Sequence, residues 1–516
     1  MSATHVPPRS AAWRKAALCL GLACCGPGTL SSATSAAVSS AGASAQASHV
    51  DVDVDVDGDG DGNGDSAPPF EGLPTTSLKP ERAPAGCLNQ QSTPNHVLAL
   101  QLAAPDHTLT LSTRAGQLLV NGVACTGLTD PTAIEIIGTN AADTIVIDLS
   151  SGALPQHLQG GRLHVDAGNG LDTVALATTP NADTLKLGQQ NNQVALDIGP
   201  QLPRLRIENH DRLIISTGPG NDRIDAGGHP DVGGAVLSAL IVYGGAGSDV
   251  IQGGKGADQL HGGDGDDFFT TAASSDGADL YDGGGGIDSM SYDARSAPLT
   301  VKLDNRNDDG EAGEHDDVRD TIEVLLGGRG DDTLTGGAHD DSLVGGPGDD
   351  RLYGGAGDDT FFEASSMQGH DIMNGGPGID SVDYSERATA LHVTLCVSSS
   401  EACTGACQCA ADDGEAGEAD TLVNVENVSG GRGNDLLHGS AADNALFGNE
   451  GDDVLRGEGG HDEIYGGDGH DELYGGDGDD LLNGDEGVDV IDGGDGEGDD
   501  DLCIWELTEH AQSCER

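Results

Sequence analysis

Carboxylates held at one phase of a nine-residue period are the feature of this chain best able to do chemistry. From Gly327 it reads GGRGDDTLT, GGAHDDSLV, GGPGDDRLY, GGAGDDTFF with nothing between units. From Gly430 it continues in the same way: GGRGNDLLH, GSAADNALF, GNEGDDVLR, GEGGHDEIY, GGDGHDELY, GGDGDDLLN, GDEGVDVID. A shorter block starts at Gly244 (GGAGSDVIQ, GGKGADQLH, GGDGDDFFT), and single units start at Gly283 and Gly375. The sixth place is Asp in all of these but one, where Asn444 stands, and the eighth is always apolar. Clustered carboxylates and carbonyls, with no Cys or His at the sixth place, suit Ca2+ rather than zinc or copper.

The elements that must position those carboxylates follow from the other places of the unit. Glycine at the first, second and fourth places permits positive φ and lets backbone carbonyls converge on an ion. The eighth residue, as in Leu334, Leu343, Leu352 and Phe361, points into a thin two-sided core. Composition alone could scatter Gly and Asp but could not hold an apolar residue at one phase of nine, so this is an ordered repeat and not a disordered acidic tract. Carboxylates stacked one strand apart repel by about 3.5 kcal/mol at an effective dielectric of about 20. A divalent cation reverses that sign, so the repeats are expected to fold on binding calcium.

Composition agrees. The 516 residues carry 88 Asp+Glu against 23 Lys+Arg, a net charge of −65, with 82 glycines and 3% aromatics. Such a chain cannot build a large conventional core. Its field repels nucleic acid, anionic membranes and phosphate-rich partners.

The unit matches G-G-x-G-x-D-x-U-x, and over about residues 217 to 502 the chain resembles the RTX (hemolysin-type) calcium-binding nonapeptide repeat family. The resemblance implies an all-β fold, a right-handed parallel β-roll or β-solenoid in which two repeats complete one coil and calcium lies between successive turns. It implies that repeats eighteen residues apart stack, with Asp249 over Asp267, Asp332 over Asp350, Asp341 over Asp359, Asp453 over Asp471, Asp462 over Asp480 and Asp471 over Asp489. Carried onto this sequence, the metal-binding aspartates are Asp249, Asp258, Asp267, Asp288, Asp332, Asp341, Asp350, Asp359, Asp380, Asp435, Asp453, Asp462, Asp471, Asp480 and Asp489. The accompanying turn carbonyls are those of Gly245, Gly247, Gly328, Gly330, Gly346, Gly348, Gly355, Gly357, Gly467, Gly469, Gly476 and Gly478, and about a dozen Ca2+ ions are expected.

Five regions are expected. Residues 1–25 read as a secretory signal, in which Leu22-Ala23-Cys24-Cys25 resembles a lipoprotein cleavage box; cleavage without lipidation in the Ala/Ser tract that follows Thr29 is the other reading. Residues 26–85 read as a disordered Ser/Ala/Asp/Gly-rich linker. Residues 86–235 are β-rich with degenerate repeats around Asp143, Asp172 and Asp222, on longer solenoid rungs or with a separate small domain at 87–125. Residues 236–502 form the roll, with two related insertions at about 292–326 and 384–429. Each insertion carries DDGEAGE, either as extra calcium ligands or as an exposed, solvated hairpin. Residues 503–516 form a disulfide-closed cap.

Without Cys19, Cys24 and Cys25, eight cysteines remain. They are expected to pair within three groups: Cys87 with Cys125, Cys396, Cys403, Cys407 and Cys409 among themselves, and Cys503 with Cys514. His461 and His470 occupy the fifth places of adjacent repeats and so fall on opposite sides, which speaks against a shared zinc site. There is neither H-E-x-x-H nor G-x-S-x-G, His461-Asp-Glu and His470-Asp-Glu being repeat residues, and the chain is read as not an enzyme.

The function expected is calcium binding by an exported roll with a structural or cell-surface role. A calcium-dependent adhesin binding a surface glycan or envelope component, and a polysaccharide-active enzyme using a solenoid groove, are the alternatives. An N-terminal signal and paired cysteines place the protein outside the cell or anchored at the outer membrane of a Gram-negative bacterium, with or without a lipid anchor and with no transmembrane segment.

Overall fold

The computed structural model describes residues 97–102, 107–114, 117–124, 133–151, 162–198, 204–365, 368–396, 413–494, 501–504, 510–512 and 514. All lie in the compact unit Ala67–Arg516. The signal, the linker, Cys87, Cys125, Cys403, Cys407 and Cys409 fall outside the described residues. Every regular element among those described is a β-strand, and no helix is long and apolar enough to cross a membrane.

Nine-residue spacing becomes structure because each unit is a turn followed by a short strand, three residues long in Thr333–Thr335 and seven in Leu481–Gly487, and successive units alternate between two ladders. Leu334 pairs with Leu352 in one ladder while Leu343 pairs with Phe361 in the other. The same eighteen-residue parallel register joins Ile251 to Phe269, Leu455 to Leu473 and Ile464 to Leu482. These eighth-place side chains are 0% exposed and meet in one continuous core between the ladders. The chain is thus an all-β parallel solenoid, as the period predicts.

Among the described residues one ladder runs through a sheet of 21 strands, and the other is split into sheets of 10, 6 and 7 strands. The insertions make the splits. In the first, Leu299–Lys302 begins the six-stranded sheet against Thr333–Thr335, and the chain then returns to add Asp317–Val318 to the end of the ten-stranded one. In the second, Leu391–Thr394 starts the seven-stranded sheet and Thr421–Val423 finishes the six-stranded one.

At the N-terminal end Val97–Gln101 and Thr108–Arg114 pair in parallel with Ala133–Thr139 and Thr144–Asp148, so the described strands before residue 125 belong to the first coils. At the other end Cys503 takes the inward place over Leu482 and is disulfide-bonded to Cys514. That bond ties together the chain segments supplying the last strand of each ladder, Leu502–Ile504 and His510–Gln512.

Candidate metal centres

Each turn ends on its sixth-place Asp, whose backbone N–H donates to the carboxylate of the Asp one coil further on. Asp249 donates to Asp267 Oδ1 at 2.7 Å, and Asp267 to Asp288 at 2.8 Å. The same bond links Asp332 to Asp350, Asp341 to Asp359, Asp359 to Asp380, Asp435 to Asp453, Asp453 to Asp471, Asp462 to Asp480, and Asp471 to Asp489, at 2.7–2.9 Å. All six stackings expected from the sequence are therefore present. Asp258 bonds instead to Asp279, 21 residues on.

This bond uses one carboxylate oxygen, and the second divides the turns into two kinds. In closed turns Oδ2 accepts the N–H of the second-place glycine of its own repeat: Gly254 to Asp258, Gly328 to Asp332, Gly337 to Asp341 and Gly431 to Asp435, at 2.5–2.7 Å. In open turns Oδ2 is buried and accepts no hydrogen bond; these are Asp249, Asp267, Asp288, Asp350, Asp359, Asp380, Asp453, Asp462, Asp471 and Asp489. Asp172 and Asp222, outside the period-nine blocks, are open as well.

Backbone conformation at the second place separates the two kinds. It is left-handed in every open turn, for example Gly245 (φ 117°) and Gly467 (φ 111°), and in none of the four closed ones. Asn449, Glu458 and Asp485 adopt φ of 74°, 74° and 62° in open turns although they are not glycine. What lies one coil earlier decides between the states. A Cβ on Gly245, Gly263, Gly346 or Gly376 would strike the second-place carbonyl of the repeat turn beneath it, at Gly218, Gly245, Gly328 or Gly355. Closed turns have no such turn beneath them: Gly328 faces Arg295 O, Gly337 faces Leu303 O and Gly431 faces Arg387 O.

Oxygens converge at the first-place glycine also. A Cβ on Gly262 would meet both Asp267 Oδ2 and Gly283 O. The carbonyls of Gly245, Gly247, Gly328, Gly330, Gly348, Gly355, Gly357, Gly469 and Gly476 lie against the corresponding place one coil on, in the gap between turns. Gly262→Ala should therefore weaken cation binding, by about 1–3 kcal/mol if overpacking costs its usual amount. Gly285→Ala, at a place with nothing within 4 Å, should be silent. Calcium midpoints of the two variants check this.

Burial pushes nine of the open carboxyls far above the ordinary Asp range: to about 7 for Asp249, Asp267, Asp350, Asp380, Asp453 and Asp462, to about 8 for Asp288 and Asp359, and to about 6 for Asp471. Neighbouring aspartates add to the rise. No ion pair among the described residues reaches these carboxylates. Buried, anionic, oxygen-only groups with an open acceptor fit a hard divalent cation. His461 and His470 hold separate turns, accepting the N–H of Asp479 and Val488 at 3.0 Å, and form no shared site.

The insertions contain what the sequence reading missed. Their DDGEAGE segments do form hairpins, through the bridges Asp309–Asp316 and Asp413–Asp420, but Asp309, Glu314, Asp316, Asp413, Glu418 and Asp420 are buried, not solvated. Each hairpin closes on a wholly buried arginine. Arg295 Nη2 lies 2.6 Å from Asp276 and 2.9 Å from Glu314, with Glu311 at 3.2 Å from Nη1. Arg387 Nη2 lies 2.6 Å from Glu418 and 2.9 Å from Glu363, with Glu415 at 3.4 Å from Nη1. Tyr292 and Tyr384 donate to Asp316 and Asp420. The two insertions are related at an offset of 92 residues, Tyr292 to Tyr384 and Arg295 to Arg387, but one carboxylate differs in origin: at this offset Asp276 aligns with Gln368, and Thr271 with Glu363. Both cages thus keep their charge from different positions. Oxygens of Glu363, Glu418 and Asp420 lie within 4.8 Å of one another, with the Arg387 guanidinium as their built-in cation.

Missed too were Glu323 and Glu426, which accept the N–H of Asp288 and Asp380 at 2.8 and 2.9 Å where a repeat turn would otherwise follow. Tyr292-x-x-Arg295 and Tyr384-x-x-Arg387 extend the 92-residue offset and were the signal for the cages.

Two parallel ladders around one thin core, with stacked buried aspartates on their turns, define a β-roll of the cation-binding class. The model of the RTX calcium-binding nonapeptide repeat matches residues 214–232, 243–276, 320–352, 336–362, 429–464 and 465–499, and the chain carries these repeats. RTX repeats bind calcium, and the matched residues lie in the roll described above. No curated protein matches the chain.

Proposed function

We propose that the open turns are the calcium sites, that the closed turns are not, and that calcium is what folds the roll. The observation that carries this is the set of buried Oδ2 atoms without a donor, each in a turn stacked on another repeat turn. Asp267, for instance, would supply Oδ2, with turn carbonyls beside it. Calcium bound there neutralises charge that burial otherwise makes costly. Asp258, Asp332, Asp341 and Asp435 hold their own turns shut and offer backbone carbonyls only.

Titration calorimetry separates the two kinds. Asp471→Asn, in an open turn, should lower the number of bound ions by about one, whereas Asp435→Asn, in a closed turn, should leave it unchanged. Equal losses from both would sink the distinction.

Protons compete with calcium for the same oxygens. Because nine of the open carboxyls, Asp249, Asp288 and Asp471 among them, are raised to about 6–8, the calcium-free roll is most stable below the ordinary Asp pKa and loses stability as pH rises through that window. Calcium binding has the opposite dependence, since it needs the ionised form. The calcium midpoint for folding should therefore rise steeply from pH 8 to pH 6, while in EGTA the strand signal should be greater at pH 5 than at pH 8. Circular dichroism reads both.

The biological setting we favour is export into an oxidising, calcium-rich compartment, with a structural or surface role. The Cys503–Cys514 bond and a net charge of −65 support it. Binding rather than turnover fits carboxylates already committed to ladders and cages, and we read the protein as not an enzyme.

A further inference from the structure

Upstream of the matched repeats, one turn has the open arrangement on rungs that no nine-residue period describes. Asp172 follows Asp143 by 29 residues and precedes Asp211 by 39. It is 1% exposed; its N–H donates to Asp211 Oδ2 at 2.8 Å and its Oδ1 accepts the N–H of Asp143 at 2.7 Å. Its Oδ2 is buried and accepts nothing. Gly168 and Gly170 are left-handed, with φ of 102° and 152°, and a Cβ on either would strike Thr139 O or Ala141 O in the turn beneath. That lower turn is closed: the Thr139 N–H and hydroxyl donate to Asp143, and His107 Nδ1 lies 2.8 Å from the same carboxylate. No ion pair among the described residues includes Asp172.

We propose that the turn from Gly168 to Asp172 binds one hard divalent cation of the calcium type, through Asp172 Oδ2 and the carbonyls of Thr139 and Ala141. This site rests on the same reading of open aspartates as the repeats but is built from residues outside every matched segment. It makes the N-terminal rungs a cation-binding part of the solenoid instead of an inert cap. Ladder continuity supports this role, since Thr173–Ala177 pairs with Arg212–Pro219, which pairs with Leu240–Ala246 at the start of the roll.

Hydrogen exchange of the full chain, with calcium and with EGTA, tests it. Calcium should slow exchange in residues 162–177, and Asp172→Asn should remove that protection while residues 430–492 still respond. If 162–177 exchanges alike in both conditions while 430–492 responds, or if its protection survives Asp172→Asn, the site is refuted and the repeat reading stands. If neither segment responds, the repeat reading fails first and takes this site with it. Should Asp172→Asn not fold, Asp172→Ser, whose hydroxyl can still accept the Asp143 N–H, gives the same comparison.

Discussion

Chelation with EGTA at pH 8 is expected to abolish the strand signal of the repeat blocks, and excess calcium to restore it. The reason lies in the balance at each turn. The core between the ladders is one side chain thick, so a unit such as Gly466–Tyr474 buries mainly Leu473 while fixing nine backbones. Apolar burial of one Leu contributes about 1.5–3 kcal/mol, and ordering each residue costs about 1–2 kcal/mol. Backbone pairing offsets part of that difference. Asp453, Asp471 and Asp489 then add buried like charges on adjacent coils. Only a multivalent cation at the open oxygens turns this contribution favourable. The transition should be cooperative in calcium, because each coil is the template for the next. An unchanged circular dichroism spectrum in EGTA would defeat the proposal.

Replacing Arg387 by Met is expected to be the most damaging single change outside the turns, and Arg295→Met its counterpart. Arg387 has no exposed side-chain surface, and Glu363, Glu415 and Glu418 stay buried or nearly so around it. Removing one partner of such a group leaves uncompensated buried charge, which costs about 3–5 kcal/mol. Burial and the nearby Asp420, Asp371 and Glu418 already push the Glu363 carboxyl well up, so the loss should grow as pH rises and that carboxyl ionises. Lysine keeps the charge but not the two-nitrogen fork and should rescue only partly. Urea unfolding in saturating calcium measures the effect; a loss below about 1 kcal/mol in Arg387→Met would mean that the cage does not hold the break together.

Much of the roll was legible in the sequence because its determinants are local and periodic. The eighth-place residues Ile251, Leu334, Leu455 and Leu473 all turn inward, and the stacked pairs Asp249–Asp267 and Asp471–Asp489 lie where an eighteen-residue coil puts them. The open or closed state of a turn was not legible. Asp435 and Asp453 both stand at the sixth place of the nine-residue pattern, in GGRGNDLLH and GNEGDDVLR, yet the first stands on the Arg387 insertion and the second on a repeat turn. That difference lies one coil away in space and beyond the reach of the local motif. The buried DDGEAGE hairpins escaped for a related reason: four acidic residues in seven read as solvated until the arginine 16–31 residues upstream is placed inside them.

The most direct test of the account is a count of bound calcium. After equilibrium dialysis against calcium and removal of free ions, atomic emission should find about a dozen ions per chain, matching the twelve open aspartates from Asp172 to Asp489. A chain that is folded by circular dichroism and yet holds none, or only one or two, would contradict it.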